Sequence, residues 1–215
     1  AALRQAGAMT PQGVATSLHA LSKWDGWYDE AVVRALGQAA LRQAGAMNEQ
    51  HVANSLNALS VFAHLPADTV AALWSRTTTL PLHAWSDEGL SQLHFAELCL
   101  RLEHPDRQLS LPPDLAAKAS GCAQALFRAA HSSQLHLSVS RALRELQVPY
   151  EDERVVGGLS VDIVARVGEG KHVVVEVDGP VHYHRDSTGA FHMRGQYRLK
   201  QRLLERHEVA IERRP

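Results

Sequence analysis

The chain has 215 residues, of which 45% are hydrophobic and 21% charged, a composition typical of globular proteins and not of disordered tails or fibres. Its 22 Lys and Arg residues nearly balance 23 Asp and Glu residues, which leaves a formal net charge of −1. This balance excludes a positive field over the whole surface, so a site for a polyanion must be a local patch. No apolar run approaches the roughly 18 residues that span a bilayer, so we expect no membrane partner.

The two cysteines, Cys99 and Cys122, lie in Ala/Leu-rich segments without the spacing of a zinc site or a disulfide framework. They are predicted to be small buried apolar side chains in a reducing compartment. The sequence begins with neither Met nor a signal-peptide pattern, so we expect a fragment or a mature form, compatible with a removed organellar transit peptide.

An internal repeat occupies the N-terminal part of the chain. Residues 1–24 and 39–62 are identical at 17 of 24 positions, at an offset of 38 residues. Repeats of this length are typical of solenoids, in which each unit buries its apolar face against its neighbours. In the first unit Thr10 and Pro11 form a helix start, and apolar residues then recur at helical spacing. With second helices predicted over residues 29–44 and 66–76, each unit is a helix pair.

A third unit is less regular. Ser86 can cap a further helix, but aligning Phe95 with Leu18 requires an offset of 77 rather than 76. A last helix is predicted over residues 114–130, after a segment rich in helix breakers. The first predicted domain, residues 1–131, is therefore an N-terminal α-solenoid that ends at His131.

The pattern changes at Ser132. A helix is predicted to stop before Pro149, and three β-rich runs follow, over Tyr150–Val156, Leu159–Val167 and residues 171–178. Glycine pairs between these runs predict hairpin turns. A helix over residues 191–207 and a strand over residues 208–213 complete the order α-β-β-β-α-β. Residues 132–215 are thus predicted to form a small mixed α/β domain.

Three acidic side chains are predicted to share one face of this sheet. Asp162 alternates with Val161 and Ile163, and Glu176 and Asp178 lie two residues apart in the next run. If these strands are antiparallel neighbours, the three carboxylates converge and need a cation, a shared proton or open solvent. Mg²⁺ is a candidate cation. The alternative is the solvated face of a strand pair.

Further polar residues flank these carboxylates. The loop after Asp178 carries His182, Tyr183 and His184. The following helix has arginines at positions i, i+4 and i+8, which predict one basic ridge opposite an apolar face. These arginines are Arg194, Arg198 and Arg202, and the opposite face consists of Tyr197, Leu199, Leu203 and Leu204. A basic ridge beside carboxylates is typical of a phosphodiester groove, and a solvated helix face is the alternative.

These residues resemble the RAP domain of organellar RNA-metabolism proteins. The motifs are LSVDI at residues 159–163, EVDGPVHY at residues 176–183 and LKQRLL at residues 199–204. The 38-residue unit resembles octotricopeptide repeats, which often precede a RAP domain. The resemblance implies an α-solenoid followed by a restriction-endonuclease-like α-β-β-β-α-β core of the PD-(D/E)XK superfamily. It also implies an RNA partner in a mitochondrion or chloroplast.

The same resemblance suggests where chemistry would occur. Asp162 matches the first acidic residue of the nuclease motif and Glu176 the second, so the two are candidate Mg²⁺ ligands. Two residues after the second acid the nuclease motif has Lys, and this chain has Asp178. Lys200, on the following helix, would replace that Lys if it reaches the site. The candidate catalytic residues are therefore Asp162, Glu176, Asp178 and Lys200, with His182 or Lys200 assisting proton transfer.

The leading hypothesis is a non-catalytic protein that binds, stabilises or helps to process organellar mRNA or rRNA. A structural role in an organellar ribosome, beside ribosomal proteins or other RNA-processing factors, belongs to this hypothesis. One alternative is a metal-dependent RNA endonuclease that uses Asp162 and Glu176. Another is a protein-interaction scaffold, which the near-zero net charge favours. The candidate RNA-binding residues are His182, Tyr183, His184, Arg194, Arg198, Lys200 and Arg202.

The repeats contain few aromatic residues on which bases could stack. Packing between helices is the alternative role for those that exist, and two and a half units would specify only a short sequence. Further repeats upstream of Ala1 are therefore expected. The candidate stacking residues are His19, Trp24, Trp27 and Tyr28.

Overall fold

The computed structural model describes residues 6–24, 28–129, 133–168, 170–207 and 210–214. A helical part is followed by a mixed α/β part. The helices are α1 Pro11–Ser22, α2 Glu30–Gln43, α3 Glu49–Val61, α4 Ala67–Thr79, α5 Asp87–Glu103, α6 Pro113–Ala129, α7 Gln134–Glu145 and α8 Gly195–Arg206. The strands are β1 Tyr150–Val156, β2 Leu159–Val167, β3 Lys171–Val177, β4 Tyr183–Arg185, β5 Phe191–Met193 and β6 Ala210–Arg214. Within these ranges no helix is both long and apolar enough to cross a membrane.

The sequence repeat is matched by a repeat of local structure. The caps of α1, α3 and α5 are Thr10, Asn48 and Ser86, spaced 38 residues apart, and each side chain accepts a hydrogen bond from the backbone N–H three residues later. The predicted cap at Ser86 is confirmed and keeps an offset of 76 from Thr10, whereas the alignment of Phe95 with Leu18 at an offset of 77 does not hold. The apolar pattern misled because Phe95 is only half-buried.

The helices of the N-terminal part pack in two layers. Helix α1 packs on α3, α3 on α5, and α5 on α6, while α2 packs on both α1 and α4. Leucines such as Leu18, Leu56 and Leu93 are fully buried between them, and each buried side chain contributes about 1.5–3 kcal/mol. The same core includes Leu199 and Leu203 of α8. The helical and mixed parts thus share one apolar interior.

The larger sheet has the strand order β1-β2-β3-β6. Strands β1, β2 and β3 are antiparallel neighbours, and β6 lies parallel to β3. Gly157 and Gly158 form the predicted turn between β1 and β2 with φ values of 58° and 92°, a conformation that glycine adopts without strain. A shared face for Asp162 and Glu176 requires antiparallel pairing of β2 and β3, and this pairing is present.

The predicted helix over residues 191–207 is wrong at its start. Phe191–Met193 forms β5, which pairs with β4 in a small hairpin. The carboxylate of Asp186 closes the turn, because it accepts hydrogen bonds from the backbone N–H groups of Thr188 and Ala190. Helix α8 therefore begins only at Gly195.

Two further predictions concern single residues. Cys99 is buried as expected, whereas Cys122 is only half-buried. The predicted domain boundary at residues 131–132 and the candidate stacking residue Trp27 lie outside the described residues.

Candidate functional site

A cleft of about 960 Å³ opens between the helices and the sheet. Helices α1, α3, α5 and α6 form one wall, and β2, β3, the loop after β3 and α8 form the other. Acidic, basic and aromatic side chains all line it. They include Glu88, Asp162 and Glu176, then Lys23, Arg194 and Lys200, and the rings of Trp24, Phe95, Phe127 and Tyr197. The cleft can therefore contact both charged and planar groups of a ligand.

Asp162 and Glu176 meet in this cleft, as the strand alternation predicted. Asp162 Oδ2 accepts a hydrogen bond of 2.7 Å from the backbone N–H of Val177. Lys200 reaches over from α8, with its Nζ 2.5 Å from Glu176 Oε2. The sequence predicts this contact only if α8 packs with Lys200 towards the sheet, because that packing determines where the lysine points. An acid pair and a lysine thus lie together.

Glu176 is the more buried of the two acids, with 6% of its surface exposed. Burial raises the pKa of its carboxyl group, while the charge of Lys200 acts in the opposite direction and the charge of Asp162 adds to the rise. Its other oxygen, Oε1, is buried and has no hydrogen-bond partner among the described residues.

Asp178 does not complete a three-carboxylate site, which corrects the prediction. Strand β3 ends at Val177, so the alternation that would set Asp178 beside Glu176 does not extend to it. Its carboxylate instead lies 2.9 Å from His182 Nδ1 and accepts a hydrogen bond of 3.0 Å from the Tyr183 hydroxyl. These contacts hold the loop that follows β3.

The candidate ligands for a metal ion in this cleft are the carboxylates of Asp162 and Glu176. Within the described ranges no group of three or more His, Cys, Asp or Glu side chains could hold a metal ion. Asp162 and Glu176 each have one oxygen already engaged. Mg²⁺ is commonly held by one or two carboxylates while it keeps several waters or takes phosphate oxygens. The pair therefore fits such an ion only if a ligand or water supplies the remaining oxygens.

Aromatic and imidazole rings line the cleft. His182 stacks on Tyr197 with 3.9 Å between ring centroids, and His184 meets the edge of Trp24 at 5.2 Å. Trp24 keeps 53% of its surface exposed. Tyr28, in contrast, packs against Phe62, at 4.5 Å between ring centroids. Of the candidate stacking residues in the helical part, Trp24 and His19 line the cleft.

The predicted ridge of three arginines is wrong at Arg202. Helix α8 packs against the C-terminal ends of α3 and α5, so this side chain meets groups of those helices rather than solvent. Its Nε lies 2.6 Å from Glu103 Oε1, and its Nη2 donates to the carbonyl of Ser60 at 2.5 Å. Arg194, at the start of α8, is exposed and lines the cleft, whereas Arg198 is half-buried.

Sequence reasoning missed Asn57 and Gln196. Asn57 lies on α3 with 3% of its surface exposed, and its Nδ2 donates to Gln196 Oε1 at 3.3 Å. The repeat contained a signal for it, since His19, Asn57 and Phe95 are spaced 38 residues apart and all three line the cleft. Successive first helices thus present equivalent positions to one wall.

No protein-family model matches the chain, so the resemblance to RAP domains and octotricopeptide repeats rests on the sequence motifs.

Proposed function

We propose that the protein binds single-stranded RNA in the cleft between the helices and the sheet. The observation that carries this proposal is the exposed ring of Trp24, which contacts the edge of His184 in a cleft that Arg194 also lines. Unpaired bases stack on aromatic and imidazole rings, and arginine binds phosphate through its planar fork. Because these groups are local, the proposal is compatible with a net charge of −1.

We also propose an architecture for the helical part and for the mixed α/β part. We take the helices as an α-solenoid of octotricopeptide-like units, supported by caps at 38-residue spacing and by the two layers of helices. We take the mixed part as a RAP domain with a nuclease-like core. Its support is the chain order α7, β1, β2, β3, α8, β6, which is the order that the resemblance implies, with the β4–β5 hairpin inserted.

In this account the RNA is an organellar transcript or ribosomal RNA, bound in a mitochondrion or chloroplast. The protein binds and stabilises this RNA, or helps to process it or to assemble it with ribosomal proteins. Binding without cleavage is favoured because the position of the nuclease lysine is Asp178, whose carboxylate contacts His182 and Tyr183.

A second candidate function, a metal-dependent RNA endonuclease, is favoured by one observation. Lys200 Nζ lies 2.5 Å from Glu176 Oε2, so an acid pair and a lysine lie together although the lysine comes from α8. Asp162 and Glu176 would hold Mg²⁺, which would polarise the phosphate and activate water. Lys200 would then hold or move a proton beside Glu176.

One experiment separates these functions. The protein and its Asp162→Ala/Glu176→Ala variant are incubated with labelled single-stranded RNA in Mg²⁺ or Mn²⁺, and both retention and cleavage are scored. We expect retention by both proteins without cleavage. Cleavage that the variant lacks would establish the endonuclease instead. Circular dichroism of the variant checks that it is folded.

A protein-interaction scaffold differs from an RNA-binding protein in how its binding depends on salt concentration. Contacts to several phosphates weaken steeply as salt concentration rises, whereas apolar protein contacts do not. We therefore expect the fraction of RNA retained to fall steeply between 50 and 200 mM salt, a range over which such contacts change measurably. Absence of RNA retention at low salt would contradict RNA binding.

A further inference from the structure

Two residues that line the cleft each carry a buried acceptor oxygen without a hydrogen-bond partner among the described residues. Asn57 and Glu176 expose 3% and 6% of their surfaces, and both line the cleft. Asn57 Oδ1 and Glu176 Oε1 have no hydrogen-bond partner among the described residues. A buried acceptor without a donor is unfavourable, and most such atoms in folded proteins are paired. Both atoms therefore point to a ligand that supplies hydrogen-bond donors.

The two residues are fixed by the same helix. Asn57 Nδ2 donates to Gln196 Oε1, and Glu176 Oε2 accepts from Lys200 Nζ. Gln196 and Lys200 are four residues apart on α8, so they are neighbours on one helix face, with about 5–6 Å between their Cβ atoms. The partners of these two residues thus lie one helical turn apart. In each side chain one terminal atom, Asn57 Nδ2 or Glu176 Oε2, is hydrogen-bonded to α8. The other, Asn57 Oδ1 or Glu176 Oε1, can accept a hydrogen bond from a ligand.

The chemistry of these atoms restricts the ligand. Phosphate and carbonyl oxygens are acceptors and cannot satisfy Oδ1 or Oε1. The rings of Trp24, His184 and Tyr197 line the same cleft, so a planar group fits beside them. Adenine, cytosine and guanine each carry an exocyclic amino group, whereas uracil has a carbonyl oxygen where cytosine has its amino group.

We infer that the cleft selects a nucleobase with an exocyclic amino group, which donates to Asn57 Oδ1 and Glu176 Oε1, and that it discriminates against uracil. This inference rests on the proposed RNA binding and names the base that the same site accepts. The helical part contributes one acceptor and the sheet the other, so recognition requires both parts of the chain.

The test compares RNA oligomers that differ only at the amino group. Equilibrium affinities of the unmodified protein are measured for oligo(A) and for oligo(purine riboside) of equal length, which lacks only that group, and for oligo(C) and oligo(U). All are measured at one ionic strength in the presence of EDTA. We expect the amino-bearing oligomers to bind about tenfold more tightly, the size of effect that follows from an unpaired buried acceptor.

The possible results distinguish selection of the base from RNA binding itself. Equal affinity for oligo(A) and oligo(purine riboside) would overturn the inference and leave RNA binding intact. A preference that appears only when Mg²⁺ replaces EDTA would assign Glu176 Oε1 to a cation and also overturn it. Binding of no oligomer would overturn RNA binding itself, and the inference with it.

A variant gives a second, directional readout. In Glu176→Gln, Lys200 donates to the amide carbonyl, so the amide NH₂ group takes the place of Oε1 and is a donor instead of an acceptor. We expect the preference for oligo(C) over oligo(U) to fall at least about tenfold, because the uracil carbonyl now finds a donor. The matched control is Glu145→Gln, at an exposed carboxylate at the end of α7. An unchanged preference in Glu176→Gln would contradict the assignment.

Discussion

The guanidinium of Arg202 binds the carboxylate of Glu103 across the junction between the sheet and the helices, with Nε 2.6 Å from Oε1. The same group donates to the backbone carbonyls of Ser60 and Val61 at the C-terminal end of α3. Carbonyls at a helix C-terminus have no partner within the helix and carry partial negative charge. Because Lys200 lies on the same helix as Arg202, these contacts also fix the lysine that reaches Glu176.

Removing this guanidinium should destabilise the fold. We expect Arg202→Ala to lower the free energy of unfolding by about 2–3 kcal/mol, since it removes a charged donor from Glu103 and from the carbonyls of Ser60 and Val61. Arg206→Ala, at an exposed position on the same helix, should change it by less than about 0.5 kcal/mol. Urea denaturation of both variants measures the difference. Equal stability of the two variants would show that the Arg202 contacts contribute nothing.

The start of α8 is held so closely that a methyl group does not fit. A Cβ at Gly195 would lie 2.0 Å from the carbonyl oxygen of Ser22 and 2.6 Å from Val61 Cγ1. We therefore expect Gly195→Ala to lower stability by about 1–3 kcal/mol through overpacking. Gly121→Ala on α6 meets nothing within 4 Å and should raise stability by about 0.5–1 kcal/mol. Thermal unfolding distinguishes the two, and a stabilising Gly195→Ala would refute this packing.

The contribution of Glu103 should depend on pH. Burial raises the pKa of its carboxyl group, but hydrogen bonds from Arg202 and Cys99 outweigh burial and hold the pKa below its ordinary value of 4.5. A carboxyl with a lowered pKa stabilises the fold above its ordinary pKa and loses this effect as pH falls through the folded-state value. The stability difference between wild type and Glu103→Gln should therefore stay constant from pH 7 to about 5.5 and shrink below about pH 4.5. A difference that persists unchanged at pH 3 would contradict this assignment.

Cys99 should resist alkylation in the folded protein. Burial, together with a hydrogen bond from the thiol to Glu103, raises the pKa of Cys99 to about 12. Because only the thiolate reacts, iodoacetamide at pH 8 should modify Cys99 roughly a thousandfold more slowly than in the unfolded chain. Mass spectrometry of peptides after timed labelling measures both rates, and rapid native labelling of Cys99 would exclude this environment.

Local signals in the sequence predicted the elements well. The glycine pair at residues 157–158 and the alternation of valines with acids gave β1, β2 and β3 to within one residue, because hairpin turns and strand faces depend on neighbouring residues. The hairpin of β4 and β5 was missed. Its turn depends on the side chain of Asp186, and Phe191 continued a pattern that fits a helix equally well.

The polar contacts between the two parts were beyond prediction. Helical spacing places Arg194, Arg198 and Arg202 on one stripe, but it does not show that the ends of α3 and α5 cover the end of that stripe. Changing all three arginines to glutamate would test RNA binding only if the variant still folds. The contacts of Arg202 with Glu103 and the end of α3 make that variant unsuitable, and Arg194→Glu alone tests the cleft. Asn57 was missed because burial of a polar residue depends on tertiary packing.

The central claim, that RNA occupies the cleft between helices and sheet, is tested most directly by ultraviolet crosslinking. The protein is irradiated with bound single-stranded RNA, and the crosslinked peptides are identified by mass spectrometry. We expect crosslinks at Trp24, His184 and Tyr197, whose rings line the cleft. Crosslinks confined to α2 and α4, two helices that contribute no residue to the lining of the cleft, would contradict the claim.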